Sequence, residues 1–299
     1  MTPETFDCAV IGGGAAGLTA ATYLGRFRRS VAVFDDGRSR VLDIPRSRNV
    51  PGYPDGVAGH DLHARMLAQA RRYGMRLIEQ RVTSISRDED EFTVNASEGS
   101  WKARAVIIAT GIDVVRPDVP DVASAVARGL VRYCPICDGY ECAGKRVGVF
   151  GSLPKSLEEA IFLRTYADDV TLIPSGQAFT LSSEQRERAA EFAISVEERP
   201  AQSLQMQSDS IKVSFATGSS ETFDVIYPCL GSRPRSELAS SLGAEVTPTG
   251  GLLVDSRQQT NVPMLYAAGD VLEGLDQIAS GWGQAAIAAT AIHNMLRPR

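Results

Sequence analysis

The sequence predicts an α/β protein of two domains with doubly wound, three-layer sheets, one domain inserted in the other, together with β-meanders. A strand, a glycine-rich turn, a helix and a second strand open the chain within about thirty residues, which is the pattern of a βαβ unit in a parallel sheet. A second unit of the same kind begins about 140 residues later. The length of 299 residues also suits two domains of roughly 100–200 residues each.

The composition is that of an ordinary globular protein, with 43% hydrophobic and 22% charged residues. The 31 Lys and Arg residues are outnumbered by 36 Asp and Glu residues, and the net charge of −5 argues against a nucleic-acid partner. No run of 18 apolar residues occurs, and the short acidic start, Met1–Asp7, does not resemble a signal peptide. Five cysteines are too few for a secreted disulphide scaffold of this length. We therefore expect a soluble, cytoplasmic protein with no nucleic-acid or membrane partner.

The first part of the chain alternates strands with helices and then turns to short strands. Its predicted elements are a strand at Phe6–Ile11, a helix from Ala15 to about Gly25, a strand at Ser30–Phe34, a helix at Gly59–Tyr73 and three alternating runs at Val82–Ser86, Glu91–Ala96 and Ser100–Ala105. The three alternating runs predict a β-meander. Ala105–Ala109, which is apolar throughout, is predicted to be a separate buried strand.

The second part repeats the strand–helix–strand order and ends in a helix. Its predicted elements are a strand at Arg146–Phe150, a helix at Lys155–Tyr166, a strand at Val170–Ile173, a β-rich stretch over 211–230, strands at Gly251–Val254 and Met264–Ala267, and a helix from about Gly283 to Leu296. Arg116–Pro120 and Leu242–Gly251, both rich in Pro, Gly or Thr, are the predicted crossing points between domains. We therefore predict one discontinuous domain, residues 1–117 and 244–299, enclosing an inserted domain, residues 118–243.

The residues between the first strand and the first helix fit the pattern G-x-G-x-x-G. In a Rossmann-like dinucleotide-binding domain the first glycine makes a tight turn, the second lets the backbone approach a pyrophosphate, and the third lets the helix pack on the sheet. Asp35, 18 residues beyond Gly17, ends the second strand, where a carboxylate can bind ribose hydroxyls. A plain tight turn is the alternative. The predicted dinucleotide contacts are Gly12, Gly14, Ala15, Ala16, Gly17, Asp35 and Asp36.

Cys134-Pro135-Ile136-Cys137 is the pattern with the most specific chemistry. Two cysteines at this spacing can close a disulphide and can hold one reactive thiolate. Half of a zinc site is the alternative, but the chain has only three His, two of them on a predicted surface helix, and no metal site is predicted. Asp138 is predicted to exchange a proton with a departing thiolate, or else to be the turn residue of an Asp-Gly pair. Cys142 lies five residues beyond Cys137, and its role is left open.

With further motifs, the glycine motif and the CxxC motif give the chain a resemblance to a known family over essentially its whole length. Ala109-Thr110-Gly111 and Tyr266-Ala267-Ala268-Gly269-Asp270 each end a predicted strand, and the CxxC-Asp-Gly run precedes the second βαβ unit. Together with the glycine motif they resemble the low-molecular-weight thioredoxin reductases, which are FAD-dependent disulphide oxidoreductases. The resemblance implies a homodimer in which a discontinuous FAD domain encloses an inserted NADPH-binding domain that carries the CxxC motif.

The resemblance also implies roles for single residues. Cys137 would contact the flavin, and Cys134 would attack the disulphide of a protein substrate. Asp270 would bind the ribityl–pyrophosphate part of FAD, while Gln277 and Ile278, just before the last helix, would reach the isoalloxazine ring. The implied FAD contacts beyond the glycine motif are Asn49, Val82, Thr110, Gly111, Gly269, Asp270, Gln277 and Ile278.

The second βαβ unit departs from the family pattern where NADPH should bind. The family has G-x-G-x-x-A there, whereas this chain reads Gly151-Ser152-Leu153-Pro154-Lys155-Ser156. Leu153 stands where the second glycine would let a pyrophosphate approach, and Pro154 removes a backbone donor near the helix start. After the next strand the family carries a His-Arg-Arg run for the 2′-phosphate, and Pro174-Ser175-Gly176 stands here instead. FAD is therefore the expected cofactor, and NADPH is doubtful.

The leading hypothesis is a reductase in which electrons pass from reduced flavin through Cys137 and Cys134 to the disulphide of a thioredoxin-like protein. The donor would be ferredoxin, flavodoxin or a similar carrier rather than NADPH, because flavin accepts electrons singly or in pairs. Three alternatives stay open: a small-molecule dithiol oxidase with oxygen as acceptor, an ordinary NADPH-linked thioredoxin reductase, and a redox sensor that keeps FAD for structure. Trp282 is interpreted either as a neighbour of the flavin or as a core or dimer-interface residue.

Overall fold

The computed structural model describes residues 4–297 and confirms the predicted α/β class. The strands are β1 (Thr5–Ile11), β2 (Val31–Phe34), β3 (Arg76–Ile78), β4 (Val82–Asp88), β5 (Glu91–Ala96), β6 (Gly99–Ile108), β7 (Ile112–Val114), β8 (Arg146–Gly151), β9 (Asp169–Pro174), β10 (Ser195–Val196), β11 (Ala201–Met206), β12 (Ile211–Phe215), β13 (Ser220–Phe223), β14 (Val225–Cys229), β15 (Ser232–Pro234) and β16 (Leu265–Ala267). The helices are α1 (Ala15–Arg26), α2 (Gly59–Arg72), α3 (Val122–Ala127), α4 (Pro135–Asp138), α5 (Lys155–Leu163), α6 (Ser183–Glu191), α7 (Glu237–Ser240) and α8 (Ile278–Met295), with 3₁₀ turns at Arg40–Asp43 and Gly139–Cys142. Within residues 4–297 no helix has the length and apolar character needed to cross a membrane.

The described chain divides into two compact units. One contains the chain up to Ile44, Val57–Asp113 and the chain from Arg233 onwards, and the other contains Pro45–Gly56 and Val114–Ser232. These divisions fall earlier than the predicted crossing points. The assignment of an FAD role to one unit and an inserted role to the other stays a prediction.

The first unit is built on a seven-stranded sheet with the order β3-β2-β1-β6-β5-β4, in which β16 also pairs with β6. β1 is parallel to both β2 and β6, with Ala9 opposite Ala32 on one side and Val106 on the other. Successive residues of a strand point to opposite faces, so Val10 packs with α1 and α8 while Ile11 packs on the other face. Burial on both faces explains why these strands are apolar throughout.

The predicted β-meander is present, but one predicted strand is wrong. β4, β5 and β6 pair antiparallel in sequence order. Ala105–Ala109 does not form a separate strand, because Gly99–Ile108 is one continuous strand, β6. The first half of β6 pairs with β5 and the second half with β16. A single strand therefore joins the meander to the parallel part of the sheet, where its last residues meet β1.

The C-terminal helix begins earlier than predicted. α8 starts at Ile278 rather than near Gly283, and Gly281 and Gly283 both lie within the helix. Gly281 is buried in α8 and approaches Ala16 of α1, where a Cβ on Gly281 would lie 3.5 Å from the Ala16 Cβ. A Cβ at this distance would make an ordinary van der Waals contact, so α1 and α8 pack closely here without requiring glycine.

Two further predicted boundaries differ from the structure. The run Gly251–Val254 is not a strand, and Leu252 makes only isolated bridges. α5 ends at Leu163, three residues before the predicted end at Tyr166. Neither change alters the order of the main elements.

The second unit contains the predicted second βαβ unit, β8–α5–β9, in a parallel sheet with the order β10-β9-β8-β14. Leu157 and Ala160 of α5 pack on one face of this sheet. The antiparallel meander β11-β12-β13 covers the other face, where Val213 and Phe223 lie against Phe150. The unit therefore keeps the layered architecture of a dinucleotide-binding domain, whatever it binds.

Candidate functional site

The glycine-rich turn between β1 and α1 is shaped by close backbone contacts. Gly12 has a φ of +110°, and a Cβ there would lie 2.2 Å from the carbonyl oxygen of Ala109. A Cβ at Gly17 would lie 1.9 Å from the carbonyl oxygen of Gly12. Both positions therefore require glycine. The turn leads directly into α1, whose N-cap is Gly14 and whose first residue is Ala15, so that the free amide groups of a helix N-terminus lie at the turn.

The loop after β2 brings a carboxylate to the same turn. A Cβ at Gly13 would lie 2.5 Å from Asp35 Oδ2, so this side chain lies directly against the glycines. Asp35 Oδ1 accepts a hydrogen bond from the Gly37 amide at 3.3 Å, and Asp36 Oδ1 accepts one from the Arg38 amide at 3.3 Å. The structure thus places Asp35 beside the glycine turn, as the spacing predicted.

His63 also reaches the glycine turn, although the sequence suggested only a surface helix for it. Its Nε2 lies 2.9 Å from the carbonyl oxygen of Gly13, and the side chain is half-buried, whereas His60 is exposed. The contact joins residues 50 positions apart. No local pattern around His63 indicates it.

Gly269 and Asp270 follow β16 and lie near the start of α1. Gly269 has a φ of +85°, and a Cβ there would lie 3.0 Å from the Cβ of Ala16. The Gly269 amide donates to Gln284 Oε1 at 2.9 Å, which ties the loop to α8. Asp270 Oδ2 accepts from Arg40 Nη1 at 2.8 Å. The sequence did not indicate Arg40, because 230 positions separate it from its partner.

Thr110 and Gly111 end the buried strand β6 and contact the chain that follows β15. The Thr110 hydroxyl donates to the Arg235 carbonyl oxygen at 2.6 Å, and the Arg235 amide donates to the Gly111 carbonyl oxygen at 2.9 Å. Arg235 Nε donates to Asp113 Oδ1 at 2.9 Å, and this bond lowers the pKa of Asp113 below its usual value. The Thr110-Gly111 corner is therefore held in place by Arg235.

Gln277 and Ile278 form the start of α8. Gln277 is the N-cap, in an extended conformation, and its carbonyl oxygen accepts from the Gly281 amide at 3.0 Å. Ile278 is the first helical residue, so the expectation that both residues precede the helix is wrong for Ile278. Trp282 lies one turn further on, and its buried Nε1 has no hydrogen-bond partner among residues 4–297. A buried donor of this kind is uncommon in proteins.

Asn49 and Val82 are two further predicted FAD contacts. Asn49 belongs to Pro45–Gly56, which groups with the second unit, and its Oδ1 accepts from Ser47 Oγ at 2.9 Å. Val82 is the first residue of β4, and its side chain is buried in the same cluster as Ile78 and Ile85. The role of both residues toward FAD stays a prediction.

Cys134 and Cys137 form a disulphide at the beginning of α4. Cys134 is the N-cap, and its Sγ accepts a hydrogen bond from the Cys137 amide at 3.2 Å. This amide stabilises the Cys134 sulphur when it carries negative charge. The other three cysteines, Cys8, Cys142 and Cys229, are free and buried. In the chain between residues 4 and 297 no group of three or more His, Cys, Asp or Glu side chains could hold a metal ion.

Asp138, directly after the disulphide, is held by two groups from other elements. Its Oδ1 accepts from the Tyr227 hydroxyl at 2.7 Å, and its carbonyl oxygen accepts from Arg132 Nη1 at 2.7 Å. Burial raises the pKa of Asp138, while the hydrogen bond from Tyr227 and the charge of Arg132 act in the opposite direction. Burial also raises the pKa of Tyr227 far above its usual value, so the phenol keeps its proton. Sequence reasoning missed Tyr227, which lies in an apolar strand.

The family of this chain follows from its similarity to known proteins. A family model described as pyridine nucleotide-disulphide oxidoreductase matches residues 6–290. The chain belongs to this family. It is 28% identical to a thioredoxin reductase of Bacillus subtilis, over 97% of this chain and 95% of the relative. In the family a flavin is bound, and the chain is a thioredoxin-reductase-like, FAD-dependent disulphide oxidoreductase.

Solved structures of full-length relatives agree with this assignment. A crystal structure of thioredoxin reductase from Streptococcus pyogenes has a TM-score of 0.90 at 27% identity, covering 99% of both chains. A crystal structure of HlmI has a TM-score of 0.90 at 30% identity, covering 98% of this chain and 92% of that one. The similarity therefore extends over both units of this family member.

The glycine turn and the neighbouring loops of this family member fit a bound FAD. Side chains at Gly12, Gly13 and Gly17 would occupy space already filled by backbone or by Asp35, which leaves a smooth backbone cradle at a helix N-terminus. Such a cradle suits a pyrophosphate. Asp35 would bind ribose hydroxyls, and Asp270, paired with Arg40, stands at the other end of the turn. These residues would hold FAD, which supplies two-electron redox chemistry.

The second βαβ unit of this family member carries a cleft whose lining residues are all uncharged. The cleft has a volume of about 410 Å³ and lies where β8 and β9 end, and none of its nine lining residues is charged. Its lining side chains include Ser152, Leu153, Ser175, Gln177, Phe179 and Thr180. Lys155, the nearest cation in sequence, is exposed on the first turn of α5. The lining thus offers hydroxyl, amide and apolar groups rather than cations.

Proposed function

We propose that this enzyme reduces the disulphide of a thioredoxin-like protein through Cys134 and Cys137, with an electron donor other than NADPH. The observation that carries the proposal is the Cys134–Cys137 disulphide at the start of α4, followed directly by the partly buried carboxyl group of Asp138. The redox chemistry that FAD supplies when bound would convert this disulphide to a dithiol. The described residues then carry out the exchange with the partner.

The exchange is a transfer of two electrons between two disulphides. The Cys134 thiolate attacks one sulphur of the partner disulphide, forms a mixed disulphide and releases the other partner sulphur as a thiolate. Cys137 then attacks the Cys134 sulphur, which releases the second partner sulphur and forms the Cys134–Cys137 disulphide again. The partner leaves with two electrons and two protons. The amide of Cys137 supports the first step because it donates to Cys134 Sγ.

Asp138 is the proposed proton carrier of this exchange. Its raised pKa favours a carboxyl group that is still protonated when an unshifted aspartate is ionised. Such a group gives its proton to the departing partner thiolate and regains one from the thiol of Cys137 as the Cys134–Cys137 disulphide forms again. The alternative role, a simple turn residue, would not need the hydrogen bond that Tyr227 donates to the carboxylate.

The cleft in the second unit supports the proposal on the donor. Tight binding of NADPH needs cations on the 2′-phosphate, and the nine residues that line the cleft include none. A protein carrier such as ferredoxin or flavodoxin needs no nucleotide site.

The proposal also includes a homodimer and a cytoplasmic location. The free buried thiols of Cys8, Cys142 and Cys229 favour a reducing compartment.

Trapping of the mixed disulphide tests the proposal. We expect reduced Cys137→Ser enzyme to form a covalent complex with oxidised thioredoxin, because Cys134 attacks and no second thiol resolves the product. The matched control is Cys134→Ser, in which only the resolving thiol is left. The complex is measured on non-reducing gels and by intact mass, with FAD content recorded for both variants.

Two results would overturn the proposal. One is a complex that forms through Cys137 in the Cys134→Ser variant and not through Cys134. The other is the absence of any complex, combined with peroxide production when the native enzyme meets a small dithiol in air. The second result would favour the dithiol oxidase over the reductase.

A further inference from the structure

A chain of three polar side chains, Asp138, Tyr227 and Cys142, begins at the residue that directly follows the redox disulphide. Cys142 and Tyr227 are fully buried. The Tyr227 hydroxyl donates to Asp138 Oδ1 at 2.7 Å and lies 3.4 Å from Cys142 Sγ. Because the phenol gives its only proton to Asp138, its oxygen is left to accept from the thiol of Cys142. The carboxyl group of Asp138 is thus joined to β14, a strand 89 residues away.

Arg132 contacts both the first and the last residue of this chain, Asp138 and Cys142. Its Nη1 donates to the Asp138 carbonyl oxygen at 2.7 Å and lies 3.6 Å from Cys142 Sγ. Its Nε donates to the Gly129 carbonyl oxygen at 3.1 Å, so the guanidinium is held from both ends. The 3₁₀ turn Gly139–Cys142 is thereby fixed below the disulphide.

Two further charged groups face Asp138. Glu141, on the following 3₁₀ turn, raises the pKa of Asp138, and Arg48, from Pro45–Gly56, lowers it. Arg48 Nε and Glu141 Oε1 are 3.7 Å apart, and the two groups act on the pKa of Asp138 in opposite directions. Tyr227, Arg132 and Arg48 all oppose the effect of burial on the pKa of Asp138, and the hydrogen bond from Tyr227 has the largest effect of the three. Of these, only Tyr227 contacts the carboxylate itself.

We infer that Tyr227 is a positioning residue of this enzyme: its phenol orients the Asp138 carboxyl group and sets the pH range in which that group gives and takes the proton of the disulphide exchange. The inference rests on the proton role of Asp138 in the proposed function. Cys142 supports the position of Tyr227 by donating a hydrogen bond to the phenol. Because Cys142 is fully buried, its thiol takes no part in the disulphide exchange. Tyr227 touches neither substrate nor the reacting sulphurs, and it acts through Asp138.

The substitution Tyr227→Phe tests this inference. It removes the hydroxyl and keeps the ring that fills the core. Since the lost bond favours the charged carboxylate, the pKa of Asp138 should rise, by about one pH unit for a hydrogen bond to an ionised group. The measurement is the carboxyl ¹³C chemical shift of Asp138 from pH 4 to 9, in the FAD-loaded full chain with ¹³C-labelled aspartate. The signal is identified by its loss in Asp138→Asn.

The control is Tyr23→Phe, a tyrosine on the exposed side of α1, which should leave the titration of Asp138 unchanged. Arg132→Gln, which removes a charge that lowers the pKa of Asp138, should shift the titration in the same direction and serves if Tyr227→Phe does not fold. An unchanged titration in Tyr227→Phe, or a shift to lower pH, would overturn the inference. The titration uses no substrate, so it fails independently of the trapping experiment that tests the proposed function.

Discussion

Asp138 is the residue at which burial and polar contacts act most directly against each other. Burial raises the pKa of its carboxyl group, and the contacts with Tyr227 and Arg132 only partly reverse this. The native chain therefore binds the proton more tightly than the unfolded chain does. The free energy of unfolding falls as the pH rises through the interval between the unfolded pKa, about 4, and the higher folded pKa. Protonation of the Asp138 carboxylate therefore stabilises the folded chain relative to the unfolded chain.

The substitution Asp138→Asn should remove this dependence. The amide cannot ionise, and its oxygen can still accept from Tyr227, so the variant should gain thermal stability relative to the native chain as the pH rises from about 4 to 8. The measurement is the difference in thermal midpoint between variant and native protein across that range, at constant FAD. Ser208→Ala, which changes an exposed side chain with no titratable group, is the control and should show a constant difference. A difference for Asp138→Asn that stays flat with pH would contradict this account of the carboxyl group.

At the scale of elements, the site depends on how closely secondary structures approach at glycines. A Cβ at Gly17 would meet the Gly12 carbonyl oxygen, whereas a Cβ at Gly283 of α8 would meet nothing within 4 Å. Both glycines lie in helices. Packing therefore requires glycine at position 17, whereas Gly283 has no packing role and only lowers the helix propensity of α8.

Alanine at these two positions should therefore have opposite effects. Gly17→Ala should abolish FAD retention and cost about 3 kcal/mol of unfolding free energy, because the clash is with backbone. Gly283→Ala should keep FAD and stabilise the chain by about 0.5–1 kcal/mol. Bound FAD is measured by absorbance after gel filtration, and stability by denaturant unfolding of the apoprotein. Retention of FAD by Gly17→Ala would contradict the cradle described for the glycine turn.

Features that depend on contacts between residues close in sequence could be predicted, whereas features that depend on contacts between distant residues could not. The glycine turn and the CxxC motif are local, so their residue types and spacing predict their geometry directly. The continuity of β6 and the early start of α8 depend on partners elsewhere in the sheet and on α1, and the sequence pattern misplaced both. Arg40 and Tyr227 act on residues 230 and 89 positions away, and only the folded chain brings them there.

At the scale of the whole molecule, the two units carry different parts of the proposed chemistry. The first unit retains the glycine turn, the carboxylates and the helix N-terminus that suit FAD. The second retains the βαβ architecture and the redox disulphide, while its cleft is lined by uncharged residues only. In the proposed reaction, electrons enter from a carrier other than NADPH and leave through Cys134.

Anaerobic rapid mixing of the FAD-loaded enzyme with different reductants tests that claim most directly. Reduced ferredoxin or flavodoxin should bleach the visible absorbance of the flavin, and added oxidised thioredoxin should restore it. NADPH and NADH at micromolar concentration should leave the absorbance unchanged on the same timescale. Rapid bleaching by micromolar NADPH would contradict the account.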